Sequence, residues 1–357
     1  MHRPPFPFAG PAILALACFA VTAAARAEEP AGYITFAVNV HDWVNPENSG
    51  DALVGALAAF EKNHVRGDFY FTEPVARALA EKRPDVIERI RESDMTVSYH
   101  IRPPHPLYPG FDRGLRALDD VELKQTLLDY ETHRLDLRTG AFDPKEEGGY
   151  AYVKRLFGRD PVVASIQNGD QRLRSAALQV LRGLGARMTI AYHESGTDPE
   201  RPFEAQQGLW IRPSDFSVTR WATENMRKEN FWWNMIATTR GAGFDPVERL
   251  KRLLGEWQGS RAPFVTALIH ENNFYNRGPE AFTAIYWEGE DKSRPARPPY
   301  DLSTRGSSQV RPEREQEKIL AAYEALVAYA AEHLQVITSE DVVRMAEQKG
   351  EAAKGRR

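Results

Sequence analysis

Cysteine is nearly absent from this sequence. Cys18 is the only one in 357 residues, and it sits in a segment with the marks of a leader. A mature chain without it forms no disulfide, no thiolate metal site and no cysteine nucleophile. Any metal would be held by His, Asp or Glu. Long apolar runs are equally scarce. The single candidate, 9–25, is short and alanine-rich for a bilayer span. Basic charge is not in excess either: 46 Lys and Arg face 50 Asp and Glu. That balance gives nucleic acid no electrostatic footprint and argues against it as a partner.

Before residue 28 the chain reads as an export signal. His2 and Arg3 supply a positive start, an apolar stretch follows, and Ala25-Arg26-Ala27 offers an A-x-A cleavage site. The expectation is a signal peptide over 1–27, a periplasmic or secreted mature protein, and no stable membrane span after cleavage. Loss of Arg3 and Arg26 leaves 44 basic against 50 acidic residues, a net charge of −6. The remaining length suits one large α/β domain, 28–348, with insertions.

From Gly32 onward, short runs rich in β-branched and aromatic residues alternate with longer runs of helical spacing. Strands are predicted at 33–40, 65–71, 95–100, 161–166, 187–192, 263–269 and 334–337. Helices are predicted at 51–62, 73–92, 119–137, 150–157, 172–184, 246–257, 313–333 and 339–348, with Pro84 opening a new segment inside the second. Repeated strand–helix units imply parallel strands with helices outside. The fold expected is a distorted (β/α) barrel of about seven parallel strands. A β-rich insertion is expected at 196–243, a mobile Pro- and Arg-rich loop at 294–312, and a disordered tail at 349–357.

In such barrels, functional residues gather at the C-terminal ends of the strands. Several predicted strands end there in polar residues: Asn39-Val40-His41-Asp42-Trp43, then Ser98-Tyr99-His100 with Arg102 and His105 beyond. Tyr192-His193-Glu194 and His270-Glu271-Asn272-Asn273 follow later strands. Histidines from separate βα units would converge on one barrel mouth. Imidazole and carboxylate are the ligands zinc accepts when thiolates are missing. Asp42, His100 and His105 offer the three protein ligands of a catalytic zinc site with one position open.

The order of these elements resembles the polysaccharide deacetylase family, carbohydrate esterases built on the chitooligosaccharide deacetylase homology domain. That family has an acidic motif after the first strand, a His-x-x-x-His motif after the third and a late strand ending in Leu-His. Its close reads roughly G-F-V-T-L-S-E-L. In this chain stand Asp42, His100 with His105, Leu268-Ile269-His270, and Leu334-Gln335-Val336-Ile337-Thr338-Ser339-Glu340-Asp341. The resemblance spans about 33–345. It implies that Asp42, His100 and His105 bind a divalent ion, zinc, which polarises the acyl carbonyl of an N- or O-acetyl group. It also implies that His270 protonates the leaving amine or alcohol and that a main-chain N–H near the metal holds the oxyanion.

The departures are specific. The family's base aspartate is replaced by His41 or Asn39, and His41 is the substitute base by its near-neutral pKa. His100 and His105 are five apart rather than four, with Pro103-Pro104 between them. The family's Arg-x-Pro-aromatic motif is not visible near 165–170.

Aromatic residues point to a polysaccharide or oligosaccharide substrate, because their faces stack on pyranose rings. Trp43, Trp232 and Trp233 are the nearest candidates, with Trp210, Trp221 and Trp287 behind them. Arg102 could hold an acidic group, as could Arg212, Arg220 or Arg240. Glu271 and Asn273 complete the expected substrate contacts. Two other readings remain open: a glycoside hydrolase pairing Glu271 with Glu194 or Asp42, and a glycan-binding barrel that has lost catalysis.

Overall fold

The structure, a computed structural model, describes residues 30–191, 198, 200–219, 231–238, 243–289, 292–304 and 309–354. The expected signal peptide, the Tyr192-His193-Glu194 motif, Arg220, Trp221 and Arg240 lie outside the described residues. Among the described residues, no helix is long and apolar enough to cross a membrane.

The strands in chain order are β1 (Tyr33–Val40), β2 (Asp68–Phe71), β3 (Thr96–His100), β4 (His133–Leu135), β5 (Phe142–Glu147) and β6 (Val163–Ser165). They continue with β7 (Met188–Thr189), β8 (Ala205–Gln206), β9 (Leu209–Ile211), β10 (Phe216–Ser217), β11 (Phe264–His270) and β12 (Gln335–Val336). One sheet runs β10-β11-β1-β2-β3-β6-β7-β9-β8, with β12 added beside the start of β1. All its pairings are parallel except β8 with β9. β9 and β10 lie on one continuous stretch, 209–217. It pairs first with β7 at Met188–Thr189 and then with β11 at Val265–Thr266. The sheet therefore curls until this one stretch links its two ends. The result is a distorted (β/α) barrel with seven parallel positions, as the strand–helix alternation predicts.

The barrel has two apolar layers, set by period-two alternation along the strands. Ile34, Phe36, Val38 and Val40 of β1 pack outward with Phe69, Val97, Val265 and Ile269 against the surrounding helices. Ala37, Tyr70, Val163, Met188, Phe264 and Leu268 face a second, inner cluster. The helices start where the chain supplies caps. Thr72 accepts from Val75 N ahead of Glu73–Lys82, Pro84 opens Pro84–Glu92, and Asp119 forms a capping box for Asp120–Thr132.

Several segments differ from the sequence expectation. The helix predicted over 119–137 ends at Thr132, and β4 and β5 form a separate antiparallel hairpin. Within 196–243, the described strands β8, β9 and β10 belong to the barrel sheet itself rather than to an inserted β unit. The same segment also carries the helix Phe231–Thr238. In 294–312, Tyr300 and Arg311 are buried, and the Ala296 N–H donates to Tyr286 O. The last helix, Ser339–Lys354, runs into the segment expected to be a disordered tail.

Candidate metal centre

Alternation decides what reaches the barrel mouth. Ala37 faces inward, so Asn39 and His41 follow on the inner side as β1 ends, and Asp42 turns outward. Ser98 and His100 on β3, Ser165 on β6 and His270 on β11 share the inner side by the same count. Three imidazoles meet there. His41 and His270 have ring centroids 4.8 Å apart, and His41 and His100 are at 6.3 Å, both near-perpendicular. Phe282 covers His41 at 5.7 Å.

A carboxylate completes the group from an unexpected element. After β11 and the short helix Asn272–Tyr275, the chain makes an excursion whose neck is pinned by the buried Asn276. Asn276 Nδ2 donates to Pro279 O (2.8 Å), and its Oδ1 accepts from Gly278 N and Gln309 N, both at 3.0 Å. The excursion carries Glu280 onto the histidines, with Oε1 2.9 Å from His41 Nδ1 and 3.2 Å from Arg102 Nε. Lys292 pairs with its other oxygen. One ligand atom each from His41, His270 and Glu280 lies within 4.8 Å of the other two.

The electrostatics suit metal-ligating chemistry. Burial pushes the Glu280 carboxyl up, but Lys292, Arg102 and His41 outweigh it and hold the group well below its ordinary range. Burial, followed by the charges of Arg102 and His41, lowers His100 well below the usual imidazole value. Burial and then His41 and Arg102 do the same to His270. The lowered imidazoles of His100 and His270 and the ionised Glu280 carboxylate are donor types that zinc takes in the absence of thiolates. His100 shares a hydrogen bond with Ser165 Oγ through Nδ1 (3.0 Å), while its buried Nε2 has no hydrogen-bond partner among the described residues.

The expected ligand triad is not brought together; of Asp42, His100 and His105, only His100 stands in this cluster. Asp42 faces away from it. Its Oδ1 accepts from Val44 N (3.1 Å) and Asn45 N (3.3 Å), and its Oδ2 from Asn45 Nδ2 (3.0 Å) and Tyr275 OH (2.6 Å). His105 stands apart from the cluster: its Nδ1 accepts from Leu107 N (3.1 Å), and its Nε2 lies 3.4 Å from Glu131 Oε1 without a hydrogen bond between them.

The other expected residues separate likewise. Arg102 and Trp43 stay at the mouth. Arg102 Nη1 donates to Gln167 Oε1 (3.2 Å) and its guanidinium lies 5.9 Å from the Tyr108 ring, while half-buried Trp43 packs on Tyr286. Trp233 is 2% exposed and packs on Tyr323 in the outer core, and the Trp232 ring lies tilted against Phe244 at 4.5 Å. Neither Trp232 nor Trp233 is at the mouth. Asn273 Oδ1 accepts from His270 N (3.0 Å), bracing that histidine. Glu271 is fully buried, and its Oε1 accepts from the main chain of His41 (2.7 Å) and Asp42 (2.5 Å). Burial raises its carboxyl, partly offset by His41 and these N–H groups. With Asp42 and Glu271 both bonded to protein donors, the carboxylate pair of a glycosidase is not formed by them. Glu280 escapes a reading of the sequence because no motif marks it.

No protein-family model and no curated protein matches this chain. Solved structures do, polysaccharide deacetylases among them. A putative polysaccharide deacetylase from Mycobacterium smegmatis has 10% identity over 91% of this chain and 93% of that one, with a TM-score of 0.49. Puue allantoinase has 12% identity over 88% of this chain and 90% of its own, with a TM-score of 0.48. A 4-alpha-glucanotransferase from Thermococcus litoralis has 13% identity over 88% of this chain and a TM-score of 0.47. This chain spans 40% of the length of that enzyme.

Proposed function

We propose that the protein is an exported, metal-dependent hydrolase that removes N- or O-acetyl groups from a glycan, as a divergent polysaccharide deacetylase. The observation that carries this reading is the convergence of His41, His270 and Glu280 within 4.8 Å at the barrel mouth. These residues would hold the divalent ion, zinc, in place of the triad the family pattern suggests. Bound there, the ion would supply Lewis acidity to an acyl carbonyl. His100, oriented by Ser165, presents a buried Nε2 to accept or return a proton, the role that the sequence pattern assigns to His41. Arg102 and Trp43 border the mouth and would orient the sugar. Export rests on the leader-like 1–27.

A second reading is favoured by one contact set: Arg102 and Lys292 already balance Glu280 without an ion. In that reading the barrel binds glycan and does not cleave it. The test measures zinc content of the purified protein and acetate release from acetylated glycans, before and after chelation. The hydrolase reading expects about one equivalent of zinc and acetate release that chelation stops. His270→Ala and Glu280→Gln should lose both. Glycan binding with neither zinc nor acetate release would establish the second reading instead.

A further inference from the structure

We infer that the excursion carrying Glu280 is a hinged cover, which lifts from the barrel mouth as one body before an ion or a glycan enters. What enters rests on the proposed function above, whereas the cover itself rests on packing. Beneath it the candidate site is sealed. The side chains of His41 and Glu280 are 0% and 1% exposed, and Phe282 lies against the His41 ring. Some part of the chain has to move before a solute reaches those atoms. The barrel wall is a poor candidate, because β1 and β11 are in register over their whole shared length, from Tyr33 and Phe264 to Asn39 and His270.

The excursion is held more loosely. Among the described residues it pairs with no barrel strand, and its two bridges, Asn276 with Val310 and Trp287 with Pro295, close it on itself. Phe282, Ile285, Tyr286, Trp287 and Tyr300 form an apolar cluster distinct from both barrel layers. That cluster rests on Trp43 and Val44 after β1 and on Tyr108 and Phe111 beyond β3. Hydrogen bonds dock it on the turn of the β4–β5 hairpin: Tyr300 N donates to Arg138 O (2.7 Å) and Tyr286 OH to Leu137 O (3.2 Å).

A body with its own small core, a narrow neck and no ladder to its neighbours opens locally at less cost than global unfolding. The charges permit the motion. Lys292, which pairs with Glu280, belongs to the excursion and travels with it. Arg102 gives up Glu280 but keeps its bond to Gln167 Oε1 (3.2 Å). The Asn276 bonds at the neck stay closed, so that end serves as the hinge.

The test uses the full chain. In metal-free wild type, hydrogen–deuterium exchange should show the amides of Tyr286, Trp287, Ala296 and Tyr300 opening together, at least about tenfold faster than those of β1 and β11. A second protein carries Cys18→Ala with Arg138→Cys and Tyr300→Cys, which sets a disulfide where the two backbones approach. Oxidised, it should exchange those amides and take up zinc at least about tenfold more slowly than when reduced.

Exchange of the excursion no faster than that of β1 and β11 overturns the proposal, as does an oxidised pair that takes up zinc at the reduced rate. If wild type binds no zinc but the disulfide still slows amide exchange, the metal-centre reading fails and the cover stands. Should the cysteine pair fail to fold or to oxidise, the wild-type exchange pattern alone decides.

Discussion

Along β1 the outward residues are Ile34, Phe36, Val38 and Val40, and the inward ones include Ala37. Continued by two residues, that count sends His41 into the barrel and Asp42 toward the helices. The sequence contained this information, since a one-residue change of parity exchanges the two faces. The acidic motif of the resembling family drew the ligand assignment to Asp42 instead. In the structure Asp42 binds Tyr275 OH and the main chain that leads into helix Pro46–Lys62. Asp42→Ala would strand a buried tyrosine hydroxyl and two N–H groups, each loss being worth about 1–3 kcal/mol. The expected outcome is a lower denaturation midpoint with zinc affinity retained, whereas His270→Ala should lose the metal and keep its midpoint. If Asp42→Ala abolished zinc binding in folded protein, His41, His270 and Glu280 would not be the ligand set. Glu280 was not legible at all, because its position depends on the Asn276 neck, a tertiary feature without local pattern.

At the scale of elements, legibility follows the strength of the repeat. Tyr33–Val40 and Glu313–His333 emerge with the predicted bounds, since one is continuously apolar and the other amphipathic over many turns. The hairpin of β4 and β5 does not. Its second strand, Phe-Asp-Pro-Lys-Glu-Glu, contains proline and a run of exposed charges that strands ordinarily avoid. What makes the hairpin possible is close backbone approach at Gly148 and Gly149. Gly149 has φ +54°, and a Cβ there would stand 2.4 Å from Tyr130 O and 2.5 Å from Glu131 Cα. Gly149→Ala therefore meets both a left-handed backbone and immovable main chain. It should destabilise the fold by at least about 2 kcal/mol, seen as a lowered urea midpoint. A midpoint within error of wild type would mean that helix Gly149–Phe157 can move away from helix Asp120–Thr132 at little cost. Because Glu131 lies beside His105, the same variant tests whether the hairpin supports the mouth.

For the molecule as a whole, the end of the barrel opposite the candidate site depends on a buried polar network. Asp68, at the start of β2, accepts from Ser339 N (3.1 and 3.0 Å) and Ser339 Oγ (2.5 Å), docking the last helix beneath the barrel. Tyr70 OH lies 3.3 Å from Ser339 Oγ and accepts from Arg212 Nη1 (2.6 Å), which follows β9. The network thus joins β2, the stretch that links the sheet ends, and the C-terminal helix. Burial raises Asp68 from 3.8 to about 6, with Ser339 and Arg212 opposing the rise. Since the folded pKa is the higher one, the folded state gains from the protonated form. That stabilisation is complete below the unfolded value near 3.8 and is lost as pH rises through about 6. The interval corresponds to about 3 kcal/mol. Asp68→Asn keeps an acceptor for Ser339 and removes the titration. Guanidinium unfolding of both proteins at about pH 4 and about pH 7.5 isolates this group, because other carboxylates cancel in the comparison. Relative to wild type, Asp68→Asn should be more stable at the higher pH than at the lower by up to that amount. Parallel behaviour at the two pH values would show that Ser339 and Arg212 fully compensate the burial of the Asp68 charge, and that docking of the last helix is indifferent to pH.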